Sequence, residues 1–252
     1  CGHCMAICPT GAIEVYGREL SPQDVYSLPN RKETADYKSL LATLQHRRSI
    51  RAFEEKPVPR ESIDKILTAA KTAPMGLPPS DVNVLVFDGK DKNRLFAKEF
   101  AQHLKSMRFM FNPIFLTVMR PFWGRETDEF FRKFLSPLYK SYTEDGMDKG
   151  INNINYDAPL AMYFYGSPYC DPADPIIAAT YAMIAAETLG LGTCMLGAIH
   201  PFIQKGKKAA QFRNNHNIKC KSKEGLFVIF GYYKAPYQKA IRRTFASEEY
   251  SR

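Results

Sequence analysis

Ala-Ala-Glu-Thr-Leu-Gly-Leu-Gly-Thr-Cys-Met-Leu-Gly occupies residues 185–197, within the longest apolar stretch of the chain, Pro175 to Ile199. A proline at the start of this stretch and Gly190 near its middle are typical of the first turn and the end of a helix. We therefore predict a buried helix that ends near Leu189 and is followed by a loop. The charge of Glu187 and the glycines argue against a membrane span.

A basic segment lies earlier in the chain and reads Arg47-Arg48-Ser49-Ile50-Arg51-Ala52-Phe53. It follows a helix that Asp36 is expected to cap. Guanidinium groups and a hydroxyl this close together can bind a phosphate through charge-assisted hydrogen bonds. The segment alone could equally be a solvated helix end, where cations favour the helix dipole. Three further features favour a phosphate site: the Pro74-Met75-Gly76 loop, the glycine-rich stretch at 190–197, and Arg242 with Arg243.

Hydrophobic periodicity predicts the remaining regular elements. A second amphipathic helix carries Ile63 and Ile66 on one face. Short β-rich stretches bounded by turn residues predict three strands, at 82–87, 160–165 and 226–230. Helices and strands are thus interleaved along the chain, without a repeat or a dinucleotide-binding Gly-x-Gly-x-x-Gly turn.

The basic segment, the proline loop, the glycine-rich stretch and the late arginine pair occur in an order that resembles the FMN-dependent nitroreductase family. The resemblance covers roughly residues 36–252. It implies an α+β fold with a central, mostly antiparallel sheet flanked by helices. It also implies a homodimer whose two subunits intertwine and bury FMN at their interface.

The same resemblance assigns several basic residues to the phosphate end of FMN. Arg47, Ser49 and Arg243, together with Arg242, would hold the phosphate. Arg48 would line the ribityl chain. These assignments combine a segment near residue 50 with the end of the chain, so they require the two to meet in the fold or in the dimer.

The resemblance also assigns residues to the flavin ring. Arg51 would place a cation near the N1/O2 edge, where it stabilises the negative charge of reduced flavin. The backbone amides of Leu196 and Gly197 would face the N5/O4 edge. The loop that approaches from the other subunit would consist of Pro74, Met75 and Gly76. No catalytic side chain is expected, because the redox chemistry takes place at flavin N5.

Cysteines at the N-terminus predict an iron–sulfur segment. Cys1, Cys4 and Cys8, followed by Pro9, read C-x2-C-x3-C-P and match the second, third and fourth cysteines of the bacterial ferredoxin motif. The chain therefore resembles a ferredoxin–nitroreductase fusion, with a ferredoxin remnant and linker at 1–35 and an FMN-binding domain at 36–252. We predict a 4Fe-4S cluster on these cysteines, incomplete because its first ligand would precede Cys1. A zinc site would need a second Cys/His pair.

Composition limits the remaining possibilities. The 252 residues, 45% of them hydrophobic, suffice for a full core. Cysteines without a disulfide pattern favour a reducing cytoplasm. The net charge of +9 is dispersed, so we expect neither a nucleic-acid nor a membrane partner. Dispersed positive charge does suit anionic ligands and acidic redox partners such as a ferredoxin.

These features predict an FMN-dependent nitroreductase-type oxidoreductase that reduces a small nitroaromatic- or quinone-like acceptor. Electrons would come from NAD(P)H or from a ferredoxin/iron–sulfur module. Two alternatives stay open: a non-catalytic flavin/iron–sulfur electron carrier, and another reaction on the same fold, such as reductive dehalogenation. The aromatic segment 107–150 is predicted to be either core or a lid over the flavin. Glu187 is expected to be a polar residue of the subunit interface, and Cys194 a small buried residue.

Overall fold

The computed structural model of the chain describes residues 2–17, 20–76 and 80–250. Its helices are α1 (His3–Ile7), α2 (Tyr37–His46), α3 (Arg60–Lys71), α4 (Lys90–Lys105), α5 (Pro113–Phe130), α6 (Ser136–Tyr142), α7 (Asp174–Thr188), α8 (Ile199–Phe202) and α9 (Lys207–Asn215). Its strands are β1 (Val82–Asp88), β2 (Leu160–Gly166), β3 (Gly192–Leu196) and β4 (Gly225–Gly231).

The strands form one antiparallel sheet in the order β1-β2-β4-β3. Tyr163 of β2 lies opposite Leu85 of β1 on one side and opposite Phe227 of β4 on the other. β3 closes the second edge, with Cys194 opposite Ile229. The two central strands, β2 and β4, are buried along their whole length. That burial explains why their sequences are continuously apolar rather than alternating.

Helices cover both faces of the sheet. On one face, Met162 and Val228 pack with residues of α3 and α7. On the other face, Tyr163 and Phe227 pack with α4 and α9, and the ring centroids of Phe96 and Phe227 are 5.0 Å apart. Side chains alternate between the faces of a strand, so one short sheet supplies both cores. This architecture confirms the predicted α+β fold with an antiparallel sheet flanked by helices.

Most predicted elements are confirmed. α2 begins where expected, with the Asp36 carboxylate accepting a hydrogen bond from the Ser39 N–H at 2.8 Å. α7 ends one residue before Leu189, and Gly190 has the left-handed φ of 73° that stops it. In the described ranges no helix, α7 included, is long and apolar enough to span a membrane.

The predicted loop after α7 is wrong in part, because Gly192–Leu196 forms strand β3. The strand is five residues long, begins with Gly192 and is followed directly by Gly197. Its local sequence therefore carries little β signal. It becomes a strand because β4 pairs with it on one side and residues 49–50 lie along the other.

The aromatic segment 107–150 divides into a buried and an exposed part. Phe111, Tyr139 and Tyr142 belong to the core, and the rings of Phe111 and Tyr139 stack with centroids 4.5 Å apart. Phe122 on α5, by contrast, is 79% exposed. The core interpretation is thus wrong for Phe122, and the lid stays a prediction for the stretch around Phe122 and Trp123.

Gly192 lets the basic segment lie directly on β3. The Ile50 N–H donates a hydrogen bond to the Thr193 carbonyl at 2.9 Å, and Ser49 forms a parallel bridge with Thr193. A Cβ atom on residue 192 would lie 2.5 Å from Cγ1 and 2.9 Å from Cβ of Ile50. The Ile50 Cβ is fixed by its hydrogen-bonded backbone and cannot move aside. Only glycine allows this approach.

We expect Gly192→Ala to lower the free energy of unfolding by about 1–3 kcal/mol, the range for overpacked sites. Gly197→Ala is the matched control, because a Cβ there would meet no atom within 4 Å. Urea unfolding followed by circular dichroism measures both variants. Equal stabilities would contradict the close approach of Ile50 to β3.

Candidate flavin site

The fold brings the basic segment to the glycine-rich stretch. Arg47 terminates α2, where its N–H still donates to the Thr43 carbonyl at 3.2 Å. The chain then extends and runs parallel to β3 through the Ser49–Thr193 bridge. Two sequence features about 140 residues apart therefore form one surface at the edge of the sheet.

This surface holds polar atoms that have no partner. Arg47 Nη1 and Thr193 Oγ1 are both buried and make no hydrogen bond in the described part of the chain. A buried donor left unpaired costs free energy, and a charged one costs more. A bound anion that accepts from Arg47 would remove this cost. The residues present therefore fit a phosphate group, as the sequence predicts.

Arg48 and Arg51 point to different parts of the site. Arg48 Nη1 donates to the Arg47 carbonyl at 2.7 Å, and its side chain lines a small cleft together with Glu187 and Tyr233. Arg51 is exposed, and its Cζ lies 5.9 Å from the ring centroid of Tyr156. None of the three arginines forms an ion pair with a described carboxylate. Carboxylates do lie near two of the arginines without pairing with them: Glu187 lines the cleft of Arg48, and Glu54 lines that of Arg51.

The end of β3 forms the next part of the surface. Cys194 is buried, as expected, and burial raises the pKa of its thiol against the opposing effect of the nearby Arg51. Leu196 is buried as well, whereas Gly197 is exposed just past the strand. Gly197 therefore offers backbone to a ligand without a side chain in the way.

Glu187 does not stand free at the surface. Its carboxylate lies 2.8 Å from Nδ1 of His46, the last residue of α2, and its side chain is only 10% exposed. This contact ties the end of α7 to the end of α2. Within one chain Glu187 thus supports the start of the basic segment; its predicted place in a subunit interface stays a prediction.

The proline loop lies elsewhere in the chain. The Gly76 N–H donates to the buried carboxylate of Asp174 at 3.0 Å, which places the loop at the first turn of α7. Pro74 and Met75 line a cavity of about 440 Å³ with the valines of β1. α7 has 15 residues and spans about 22 Å between this loop and the arginines. One chain alone does not bring the two together.

The late arginines follow a stretch that passes close to the basic segment, because Tyr237 lines a cleft together with Arg48. Arg242 and Arg243 are exposed and belong to a C-terminal stretch without regular secondary structure. Their contact with a phosphate stays a prediction.

Comparison with known proteins decides what kind of protein this is. The sequence profile of the nitroreductase family matches residues 44–232. The chain belongs to the nitroreductase family. It is therefore a nitroreductase-type oxidoreductase.

Solved structures share the fold of this nitroreductase. It is similar to a nitroreductase with bound FMN from Bacteroides fragilis, with a TM-score of 0.61, 17% identity, and 84% and 98% of the two chains covered. A nitroreductase with bound FMN from Desulfitobacterium hafniense has a TM-score of 0.57 and 19% identity, with 82% of this chain and 98% of that chain covered. An FMN-dependent nitroreductase from Clostridium difficile has a TM-score of 0.55 and 15% identity, with 85% of this chain and 100% of that chain covered. A comparison with curated proteins found no match.

The N-terminal cysteines of this nitroreductase are only partly described. Cys4 is exposed and Cys8 partly exposed, whereas Cys1 lies outside the described residues. Across the ranges that are described, no three His, Cys, Asp or Glu side chains are grouped so as to hold a metal ion. The iron–sulfur cluster therefore stays a prediction.

Three residues of the site were missed at the sequence level: Thr193, Asp174 and Tyr156. Asp174 could be expected only to begin a helix, because its tie to Gly76 bridges 98 residues of chain. Tyr156 gave no signal, since its contact with Arg51 depends on a left-handed backbone, φ 55°, that tyrosine rarely adopts. Thr193 could have been found as the polar residue inside a glycine-flanked buried stretch.

Thiol reactivity tests the environments of the cysteines. Hydrogen bonds, first from the Thr10 side chain, lower the pKa of Cys8 to about 7, whereas burial raises the pKa of Cys170 to about 11. At pH 8 most Cys8 is thus thiolate, against about one part in a thousand of Cys170. We expect iodoacetamide to label Cys8 at least about 100-fold faster in metal-free protein.

The labelling rate of Cys8 should rise with pH through about 7 and then level off. Mass spectrometry of tryptic peptides measures both sites in one sample. A Cys8 rate that still climbs steeply above pH 8, or equal rates at the two cysteines, would contradict these environments.

Proposed function

We propose that this nitroreductase is an FMN-dependent oxidoreductase that reduces a small acceptor of the nitroaromatic or quinone class. The observation that carries the proposal is the buried Nη1 of Arg47, which has no hydrogen-bond partner among the described residues. Family membership and the bound FMN in similar structures support it. When bound, FMN supplies the redox chemistry, and the chain supplies binding and electrostatics.

Arg47 and Ser49 would hold the phosphate. Arg47 brings an unpaired guanidinium, and Ser49 brings a hydroxyl one residue before the buried Ile50. Charge-assisted hydrogen bonds of this kind are about twice as strong as neutral ones. Arg48 would line the ribityl chain, and Arg243 with Arg242 would close over the phosphate from the C-terminal stretch.

Arg51, Leu196 and Gly197 would meet the flavin ring. Arg51 carries an unpaired positive charge beside β3 and would stabilise negative charge at the N1/O2 edge. The backbone N–H groups of Leu196 and Gly197 would face the N5/O4 edge. No general acid or base is needed among them, because the redox chemistry would take place at flavin N5.

We propose a homodimer, because one chain leaves the site incomplete. The loop of Pro74, Met75 and Gly76 lies at the far end of α7, about 22 Å from the arginines. In a pair of subunits, the loop of one would reach the flavin held by the other. Each site would then need both chains, and FMN binding and dimerisation would be linked.

We propose a ferredoxin/iron–sulfur module as the electron donor, with NAD(P)H as the alternative that the test distinguishes. Residues 1–35, with Cys4 and Cys8, would be the remnant of that module, and 36–252 the FMN-binding domain. A tethered donor is present at high effective concentration beside its acceptor. The 4Fe-4S cluster, like the cytoplasmic location, is proposed from the cysteine pattern.

Removing the central cation tests the binding site. We expect Arg47→Ala to weaken FMN binding about 10- to 100-fold, the cost of one hydrogen bond to a charged group. Arg60→Ala is the control, because Arg60 forms only a surface pair with Asp64 at 3.0 Å. Flavin fluorescence titration gives both dissociation constants. Unchanged FMN affinity in Arg47→Ala would contradict the phosphate assignment.

A second experiment tests the donor. The double variant Cys4→Ser, Cys8→Ser should keep its FMN, since neither cysteine belongs to the flavin site. We expect it to lose most turnover driven by reduced ferredoxin with a quinone acceptor under anaerobic conditions. Strong NAD(P)H-driven turnover by this variant would show that nicotinamide is the donor. FMN binding without turnover on any acceptor would instead favour the electron-carrier alternative.

A further inference from the structure

Tyr156 and Asp157 have an uncommon backbone conformation. Their φ angles are 55° and 50°, in the left-handed region that residues with a Cβ avoid. Tyrosine is a poor choice for such a position, because asparagine or glycine would meet less strain. Strain of this kind persists only where surrounding contacts fix it, and it is concentrated at functional sites.

A polar network fixes the strained turn. Asn152 Nδ2 donates to the side chains of Asn155 at 2.6 Å and Asp157 at 2.7 Å. Arg94 donates to the other Asp157 oxygen at 2.5 Å and to the Gly150 carbonyl at 2.8 Å. Asn152 and Asn155 are buried, so removal of any member of the network would leave a buried polar group unpaired and lower the stability of the fold.

The turn presents the Tyr156 ring to the flavin side of the fold. Arg51 Cζ lies 5.9 Å from the ring centroid, within reach of a cation–π interaction. Burial, with smaller effects from Tyr156 and Cys194 and an opposing effect from Arg51, raises the pKa of Tyr142 to about 12. Arg51, Tyr142, Tyr156 and Cys194 therefore converge at the edge of β3.

An aromatic ring can orient a guanidinium without neutralising its charge. A carboxylate at the same place would also fix the guanidinium, but it would cancel the positive charge. Within the ranges described, Arg51 forms no ion pair. The ring thus leaves the charge available to a ligand that becomes negative.

We propose that Tyr156 is a positioning residue, which holds the Arg51 guanidinium toward the N1/O2 edge of FMN and so favours the reduced form of the flavin. The inference rests on the proposed function and deepens it. It explains why a strained tyrosine, rather than asparagine, occupies the turn. It also assigns a role to the network of Asn152, Asn155, Asp157 and Arg94, which fixes the turn and whose Asp157 lines the same cleft as Arg51.

The test uses the full chain loaded with FMN and compares three substitutions. Tyr156→Leu removes the ring, and Tyr156→Phe keeps it. Tyr232→Leu is the matched control, because Tyr232 makes the other cation–π contact among the described residues, with Lys56 Nζ at 4.1 Å from its ring. The readouts are the dissociation constant of oxidised FMN and the midpoint potential of the bound flavin.

We expect Tyr156→Leu to weaken the binding of reduced FMN, relative to oxidised FMN, about threefold to tenfold. For a two-electron couple this ratio corresponds to a midpoint potential lower by about 15 to 30 mV. Tyr156→Phe and Tyr232→Leu should keep the potential of the unchanged protein. In an Arg51→Gln background, Tyr156→Leu should have no further effect on the potential.

A potential that is unchanged in Tyr156→Leu, or equally lowered in the Arg51→Gln background, would overturn the inference. If Tyr156→Leu fails to fold, Tyr156→Asn removes the ring while suiting the left-handed backbone, and the same outcomes apply to it. Failure of the proposed function is distinguishable, because the unchanged protein would then bind no FMN and show no flavin potential at all.

Discussion

Ile50 rests on Gly192 at a distance that no other residue at position 192 would permit. This close approach fixes the extended segment after α2 along the edge strand β3, through the Ile50–Thr193 hydrogen bond. Arg47, at the end of α2, and Arg51, one residue past Ile50, are placed by the same contact. The basic segment and β3 can then contribute to one ligand site, although they are distant in sequence.

The unpaired positive charge of the basic segment suits this surface to binding an anion. The arginines of the basic segment have no described carboxylate to pair with, and one guanidinium nitrogen of Arg47 is buried without any partner. Glu187, which lines the same cleft as Arg48, is engaged by His46. A fold tolerates such an unbalanced surface when a bound anion completes it. The charges that oppose folding of the empty chain are therefore the ones that would hold a phosphate.

The sequence allowed most of this architecture to be predicted. The central strands and α7 follow from apolar composition and helix-end residues, which act locally. Strand β3 could not be predicted, because Gly192–Leu196 gains its β structure from pairing partners distant in the chain. The position of Tyr156 could not be predicted either, because its contact with Arg51 depends on a strained turn that a buried network maintains.

The account depends most on the claim that this surface binds FMN, and one measurement tests it directly. The absorption spectrum of the anaerobically purified protein would be recorded, and the ligand would be released with acid and identified by chromatography. We predict flavin absorption bands and release of FMN in about one equivalent per chain. A colourless protein that also fails to take up added FMN would contradict the account, because the unpaired arginines would then not be a phosphate site.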